Sequence, residues 1–152
     1  MPVWQNIYNH SMIQPIPEKI LEFIHEHHVL TLATVHNSIP WCCNCFYVFN
    51  PHTHSFIFSS GTTTRHGQEM ITNPTVAGSI VLETETIGKI QGLQFTGIAT
   101  LLEKQKLTQA KKLYVQRFPY AILKKTTLWE CTLTYAKLTD NRLGFGTKLI
   151  WE

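Results

Sequence analysis

Apolar residues recur along this chain with two different periods, and the switches between them divide it into elements. From Pro15 to His28 the positions Ile20, Leu21, Phe23 and Ile24 fall on one side of a helical period, and Pro17 suits a first turn, so this stretch predicts a helix. From Val29 to His36 the period becomes two: Leu30, Leu32 and Thr34 alternate with Thr31, Ala33 and Val35, as in a strand. Asn37-Ser38 signals a turn, Ile39 to Asn50 reads as an aromatic-rich second strand, and Asn50-Pro51-His52-Thr53 signals another turn. Ser55-Phe56-Ile57-Phe58 then reads as a third, alternating strand. Three strands joined by short turns favour antiparallel pairing.

Further along, Arg65 to Asn73 predicts a short helix stopped by Asn73-Pro74. Val76 to Glu83 is a fourth strand, and Lys89 to Glu103 a long one with Gly92 and Gly97 inside it, where a bulge or bend is expected. Thr108 to Phe118 predicts a helix with Ala110, Leu113, Tyr114 and Phe118 on its packed side. Thr126 to Leu138 alternates again, and Lys148 to Trp151 is a last short strand. Six or seven strands, mostly following one another without a crossover helix, predict a mainly β fold: an antiparallel barrel with flanking α-helices rather than a doubly wound parallel sheet. With 152 residues and no repeat or linker, one domain is expected over 1–152, residues 1–16 forming an N-terminal arm.

Composition narrows the function classes. A hydrophobic fraction of 43% supports a real core, and 15% charged residues without a like-charge block argues against disorder. The net charge of +3 suits an anionic small ligand and falls short of a nucleic-acid footprint. The basic residues Lys111, Lys112, Arg117, Lys124 and Lys125 read as a solvated helix face and its exit. Cys42, Cys43 and Cys45 are too close for a regular disulfide framework, Met1 to His10 lacks the pattern of a signal peptide, and no window is apolar enough to span a membrane. These features lead to the expectation of a reduced, cytoplasmic protein.

The densest chemistry lies in Ser59-Ser60-Gly61-Thr62-Thr63-Thr64-Arg65-His66, where a strand runs into a helix start. Unpaired backbone N–H groups, a positive helix end, hydroxyls and an arginine together make an anion site. The same residues also read as a turn followed by a helix N-cap, a purely structural use of serine and threonine.

Other constellations have ordinary readings beside functional ones. Cys43 and Cys45 share one face of a strand and Cys42 the other, so three thiolates do not converge for zinc; buried small side chains or a redox thiol beside a cofactor are the alternatives, and no metal is expected. His25 and His28 could chelate or could simply suit a helix C-terminus, and His52 and His54 sit in a turn. Gly144-Phe145-Gly146-Thr147-Lys148 lacks phosphate-loop spacing and reads as a glycine turn. Trp41, Trp129 and Trp151 suit core or interface packing, with stacking on a cofactor as the alternative, Glu83 and Glu85 form a carboxylate pair without context, and no catalytic triad is readable.

The order of elements, together with Thr64-Arg65-His66, Gly92-Leu93-Gln94-Phe95-Thr96-Gly97, Arg117-Phe118-Pro119, Leu128-Trp129-Glu130 and the run from Thr139 to Lys148, resembles the flavin-binding split β-barrel superfamily of pyridoxamine 5'-phosphate oxidase, and within it the YhbP-like bacterial proteins. The resemblance covers about residues 17–152. It implies a homodimer with FMN at the subunit interface and electron or hydride transfer through the flavin. Carried over by position, it implies that Arg65 binds the phosphate with Ser59, Ser60 and Thr64 assisting, and that His66 stands where the oxidases often carry lysine. It also implies that Cys43, Asn44, Cys45 and Phe46 run beside the isoalloxazine, with Gln91 or Gln94 and the Asn141, Gly144 and Phe145 turn approaching from the other subunit. The second strand, Trp41 to Phe46, has no Arg or Lys where the oxidases hold a substrate phosphate, so oxidation of pyridoxamine phosphate is not carried over. The alternatives are a non-catalytic flavin or haem carrier or sensor, split barrels hosting haem as well as flavin, and a structural dimer with no cofactor.

Overall fold

The computed structural model describes residues 14–123, 125 and 127–152. Most of the N-terminal arm, together with Lys124 and the expected start of a strand at Thr126, lies outside the described residues. The elements run α1 (Glu18–Glu26), β1 (Val29–His36), β2 (Ile39–Asn50), β3 (Ser55–Ser59), α2 (Arg65–Thr72), β4 (Thr75–Val81), β5 (Gln91–Leu101), α3 (Lys104–Arg117), β6 (Leu128–Asp140) and β7 (Lys148–Trp151). Short 3-10 turns at Ile87–Lys89, Pro119–Leu123 and Asn141–Leu143 fill the joints.

All pairings are antiparallel, in the order β3-β2-β1-β4-β5-β6-β7, and β3 also pairs with β6. That extra pairing closes six strands into a barrel. One edge of β6 pairs with β5 over Trp129–Asp140. Its other edge is divided: Leu128–Thr132 takes β3, and Ala136–Thr139 takes β7. A bulge lets β6 serve both: Thr96 faces Tyr135 while Gly97 faces Leu133, leaving Thr134 as the extra residue, as the in-strand glycine suggests.

The core is the inward face of every strand. Leu30, Leu32, Tyr47, Phe49, Phe56, Phe58, Leu93, Phe95, Trp129 and Leu138 interdigitate, and α1 plugs one end with Ile20, Phe23 and Ile24. Tyr47 Oη donates to the Ile24 carbonyl at 2.6 Å, fastening the plug, and Arg117 Nη2 donates to the His27 carbonyl. A second cluster forms outside the barrel, where Ala110 and Tyr114 of α3 cover Ile57 and Leu128.

Four expectations need correction. The first helix is shorter than Pro15–His28: Pro17 caps it and His27 is already extended. The third helix begins at Lys104 rather than Thr108. β3 does not alternate: Ser55, Phe56, Ile57 and Phe58 are all buried, because α3 covers the face that would otherwise meet water. The strand expected from Lys89 to Glu103 starts at Gln91, after the 3-10 turn.

Candidate functional site

The serine–threonine corner folds at the end of the barrel where β3 stops and α2 begins. Ser60 N donates to Thr127 O at 3.2 Å and Trp129 Nε1 donates to Ser60 O at 3.0 Å, so both sides of the Ser60 peptide are fixed to the β6 side of the barrel. Thr64 is the N-cap of α2: its Oγ1 accepts from Gly67 N at 3.1 Å and donates to Gly61 O at 2.8 Å. The helix therefore folds back against its own entry loop. A Cβ on Gly67 would lie 2.3 Å from the Gly61 carbonyl oxygen, so only glycine fits.

Arg65 opens α2 and is aimed by two neighbours, Glu69 and Trp41, the first of them held by Thr34. Its Nε donates to Glu69 Oε1 at 2.9 Å, one helical turn on. Thr34 Oγ1, fully buried in β1, donates to Glu69 Oε2 at 2.5 Å. The guanidinium carbon lies 4.3 Å from the centroid of the Trp41 ring on β2. Bonds from Thr34, then from Arg65, hold the Glu69 carboxyl below the usual carboxylate range. Glu69 is thus an ionised and nearly buried anchor, whereas the Arg65 side chain keeps 46% of its surface exposed. A shallow cleft of about 210 Å³ lined by His36, Gln68, Glu69 and Thr72 adjoins this group.

His66 faces Ser60, its Nε2 lying 2.5 Å from Ser60 Oγ. Burial pushes the imidazole below its ordinary pKa, against the opposing pull of Glu69. At neutral pH His66 is a hydrogen-bonding partner rather than a second cation. Ser59 is half-buried at the last position of β3.

The β2 candidates separate by face. Cys43 and Cys45 turn into the core, where their sulfurs lie 3.9 Å apart; the contact lowers the pKa of Cys43 and, with burial, raises that of Cys45. Asn44 and Phe46 turn outward with Cys42. Registers align Asn44 with Thr31, Thr31 with Ser79 and Ser79 with Gln94, so one polar row crosses four strands on the outer face. Gln94 belongs to this row, whereas Gln91 is buried opposite Asp140. Phe46 packs between His28 and Phe118.

The Asn141–Phe145 turn follows the far end of β6. Asn141 is committed to the turn itself: its Nδ2 donates to Ile87 O at 2.8 Å and its Oδ1 accepts from Gly146 N at 2.9 Å. Gly144 ends the turn at φ +123°, and Phe145 stands 86% exposed. Ser59 pairs with the first residue of β6 and Asn141 follows its last, so about 40 Å of strand separates the Arg65 corner from this turn within one protomer.

Glu69 and Thr34 were not identified as site residues from the sequence, and Trp41 was read by default as packing rather than as a partner of Arg65. The spacing of Arg65 and Glu69 was a readable signal, whereas the approach of Thr34 and Trp41 depends on how β1 and β2 seat against α2. Among the described residues, no group of three or more His, Cys, Asp or Glu side chains could hold a metal, and no helix is long and apolar enough to cross a membrane.

Comparison with known proteins agrees with this architecture. Residues 16–140 match the family model described as pyridoxamine 5'-phosphate oxidase. The chain is 44% identical over 133 residues to a UPF0306 protein of Photorhabdus laumondii, covering 88% of this chain and 93% of that protein. Among solved structures, a heme-binding protein from Mycobacterium smegmatis superposes with a TM-score of 0.71 at 17% identity, over 88% of this chain and 57% of that one. An FAD-binding protein from Mesorhizobium loti superposes with a TM-score of 0.66 at 10% identity, over 79% of this chain and 91% of that one. At these identities the two structures share the fold with this chain.

Proposed function

The chain belongs to the pyridoxamine 5'-phosphate oxidase family and its UPF0306 group, and from that premise we propose that it binds FMN through the Arg65 corner as a homodimer and serves flavin-dependent electron transfer. The observation that carries the reading is the prepared guanidinium: Glu69 and Trp41 hold Arg65 in place, and its terminal nitrogens donate to no described residue. A planar fork fixed in this way suits a phosphate. The first turn of α2 adds backbone N–H groups, of which the Thr64 side chain takes the one from Gly67. Ser60 Oγ adds a hydroxyl at the same helix start, 3.5 Å from Thr64 Oγ1 and steadied by His66. Glu69 offsets the charge of Arg65 and His66 is neutral, so the phosphate is gripped by geometry and hydrogen bonding more than by net charge.

FMN, when bound, supplies reversible electron or hydride transfer; the chain supplies grip and orientation. Cys42, Asn44, Phe46 and Gln94 lie on the outer face, where the ring would run. The dimer reading follows the family resemblance, in which the turn that carries the exposed Phe145 approaches the cofactor from the other subunit. Exposed Val29, Val35, Val81 and Ile98 on the outer strand face support it as well. Denaturing the purified protein and detecting released FMN by mass spectrometry tests the cofactor, and sedimentation tests the dimer. Arg65→Ala should weaken FMN binding about tenfold, equivalent to about 1.5 kcal/mol, the low end for a charge-assisted bond because the group is half exposed. Unchanged affinity in a fluorescence titration refutes the assignment. The second reading, a haem-binding module, is favoured by the heme-binding neighbour, and a Soret band on haem addition without flavin uptake would decide for it.

A further inference from the structure

Cys43 and Cys45 sit two residues apart on β2 with their sulfurs 3.9 Å from one another, outside the phosphate corner. We propose that this pair is a bidentate site for a soft, thiophilic monovalent cation of the copper(I) class. Residues two apart on a strand share a face, and both side chains point inward, while Cys42 points out and is exposed. Cys45 is 6% exposed, and Cys43 is the half-buried sulfur through which an ion enters. The cross-strand partners of Cys43 and Cys45 are Leu32 and Leu30 respectively, so the two sulfurs lie among apolar side chains.

The spacing selects the chemistry. Two metal–thiolate bonds of about 2.3 Å meeting at a trigonal angle place their sulfurs about 4.0 Å apart, so the pair fits two corners of a three-coordinate site whose third corner is taken by an external ligand such as a small thiol. A disulfide instead needs a sulfur separation of about 2.05 Å, and two positions on an extended strand put the Cα atoms near the outer limit of disulfide geometry. Structural zinc needs four protein ligands, and among the described residues no third His, Cys, Asp or Glu joins the pair. Thiolates with low coordination favour copper(I). Binding forms two sulfur–metal bonds and releases the two thiol protons to solvent, with no change of oxidation state. The site is independent of the flavin reading.

The test is an anaerobic titration of the full chain with copper(I) against the chromogenic chelator bicinchoninate. One equivalent per protomer is expected for the unaltered chain and for Cys42→Ser. Cys43→Ala and Cys45→Ala should each lower the affinity at least 100-fold while keeping the far-ultraviolet dichroism of the parent. Absence of capture, capture that survives Cys43→Ala, or capture lost in Cys42→Ser overturns the proposal. Should Cys45→Ala fail to fold, X-ray absorption of the copper-loaded parent decides: two sulfur scatterers support the site, and a shell without sulfur refutes it.

Discussion

Gly67→Ala sets two opposed effects against each other at the foot of the Arg65 corner. In an open helix the change is stabilising by about 1 kcal/mol, because alanine loses less backbone entropy than glycine. Here the added methyl would lie 2.3 Å from the Gly61 carbonyl oxygen, 2.9 Å from Thr64 Oγ1 and 3.2 Å from Thr62 Cα. Two of those three atoms are backbone, so the clash cannot be relieved by turning a side chain. The loop from Gly61 to Thr64 must move away from the helix, or the helix from the loop. Overpacking of this kind costs about 1–3 kcal/mol, and moving Thr64 also weakens the cap, worth about another 1 kcal/mol. The costs win, and the net loss is about 1–3 kcal/mol. For a chain of this size that corresponds to a fall of roughly 2–12 °C in Tm. Thermal unfolding followed by circular dichroism measures it. Gly88→Ala is the control, since its added methyl meets nothing within 4 Å, and its melting point should stay close to the parent's. If Gly67→Ala melts at or above the parent, the close packing of α2 on its own entry loop is wrong, and with it the positioning of Arg65.

Thr64→Ala removes the cap that accepts from Gly67 N and should cost about 1 kcal/mol, read as a lower midpoint in urea; an unchanged midpoint would show that the cap contributes nothing. His66 has a folded pKa below its unfolded value, so the unfolded chain binds the extra proton first. Its contribution is therefore present above about pH 6.5 and lost as pH falls through the folded value. His66→Gln should make Tm rise less between pH 5.5 and 7.5 than in the parent, and an identical rise in both would refute this. Phe58→Ala, in a fully buried ring position of β3, should cost about 3–5 kcal/mol in chemical unfolding, and a loss below 1 kcal/mol would contradict the barrel core as described.

Local pattern determined much of the framework. β1, β2 and β7 begin and end where alternation and turn residues put them, because a strand with one buried face must alternate, and Asn37-Ser38 accepts the positive φ that a tight hairpin needs. The Thr64-Arg65 start of α2 was legible for a similar reason: capping is a short-range transaction between neighbours. β3 was misread as alternating because the residues that bury its second face, Ala110 and Tyr114, lie about fifty positions away, and no local period reports a distant helix. The same limit governs the site. The sequence supplied Arg65, Ser60 and His66, and the spacing of Arg65 to Glu69 was there to be read. Only the closed sheet decided that Thr34 would lock Glu69, that Trp41 would lie beside the guanidinium, and that Cys43 and Cys45 would turn inward while Asn44 and Gln94 shared an outer row. Those are consequences of register and barrel closure, which depend on the whole set of strand pairings at once rather than on any stretch of chain.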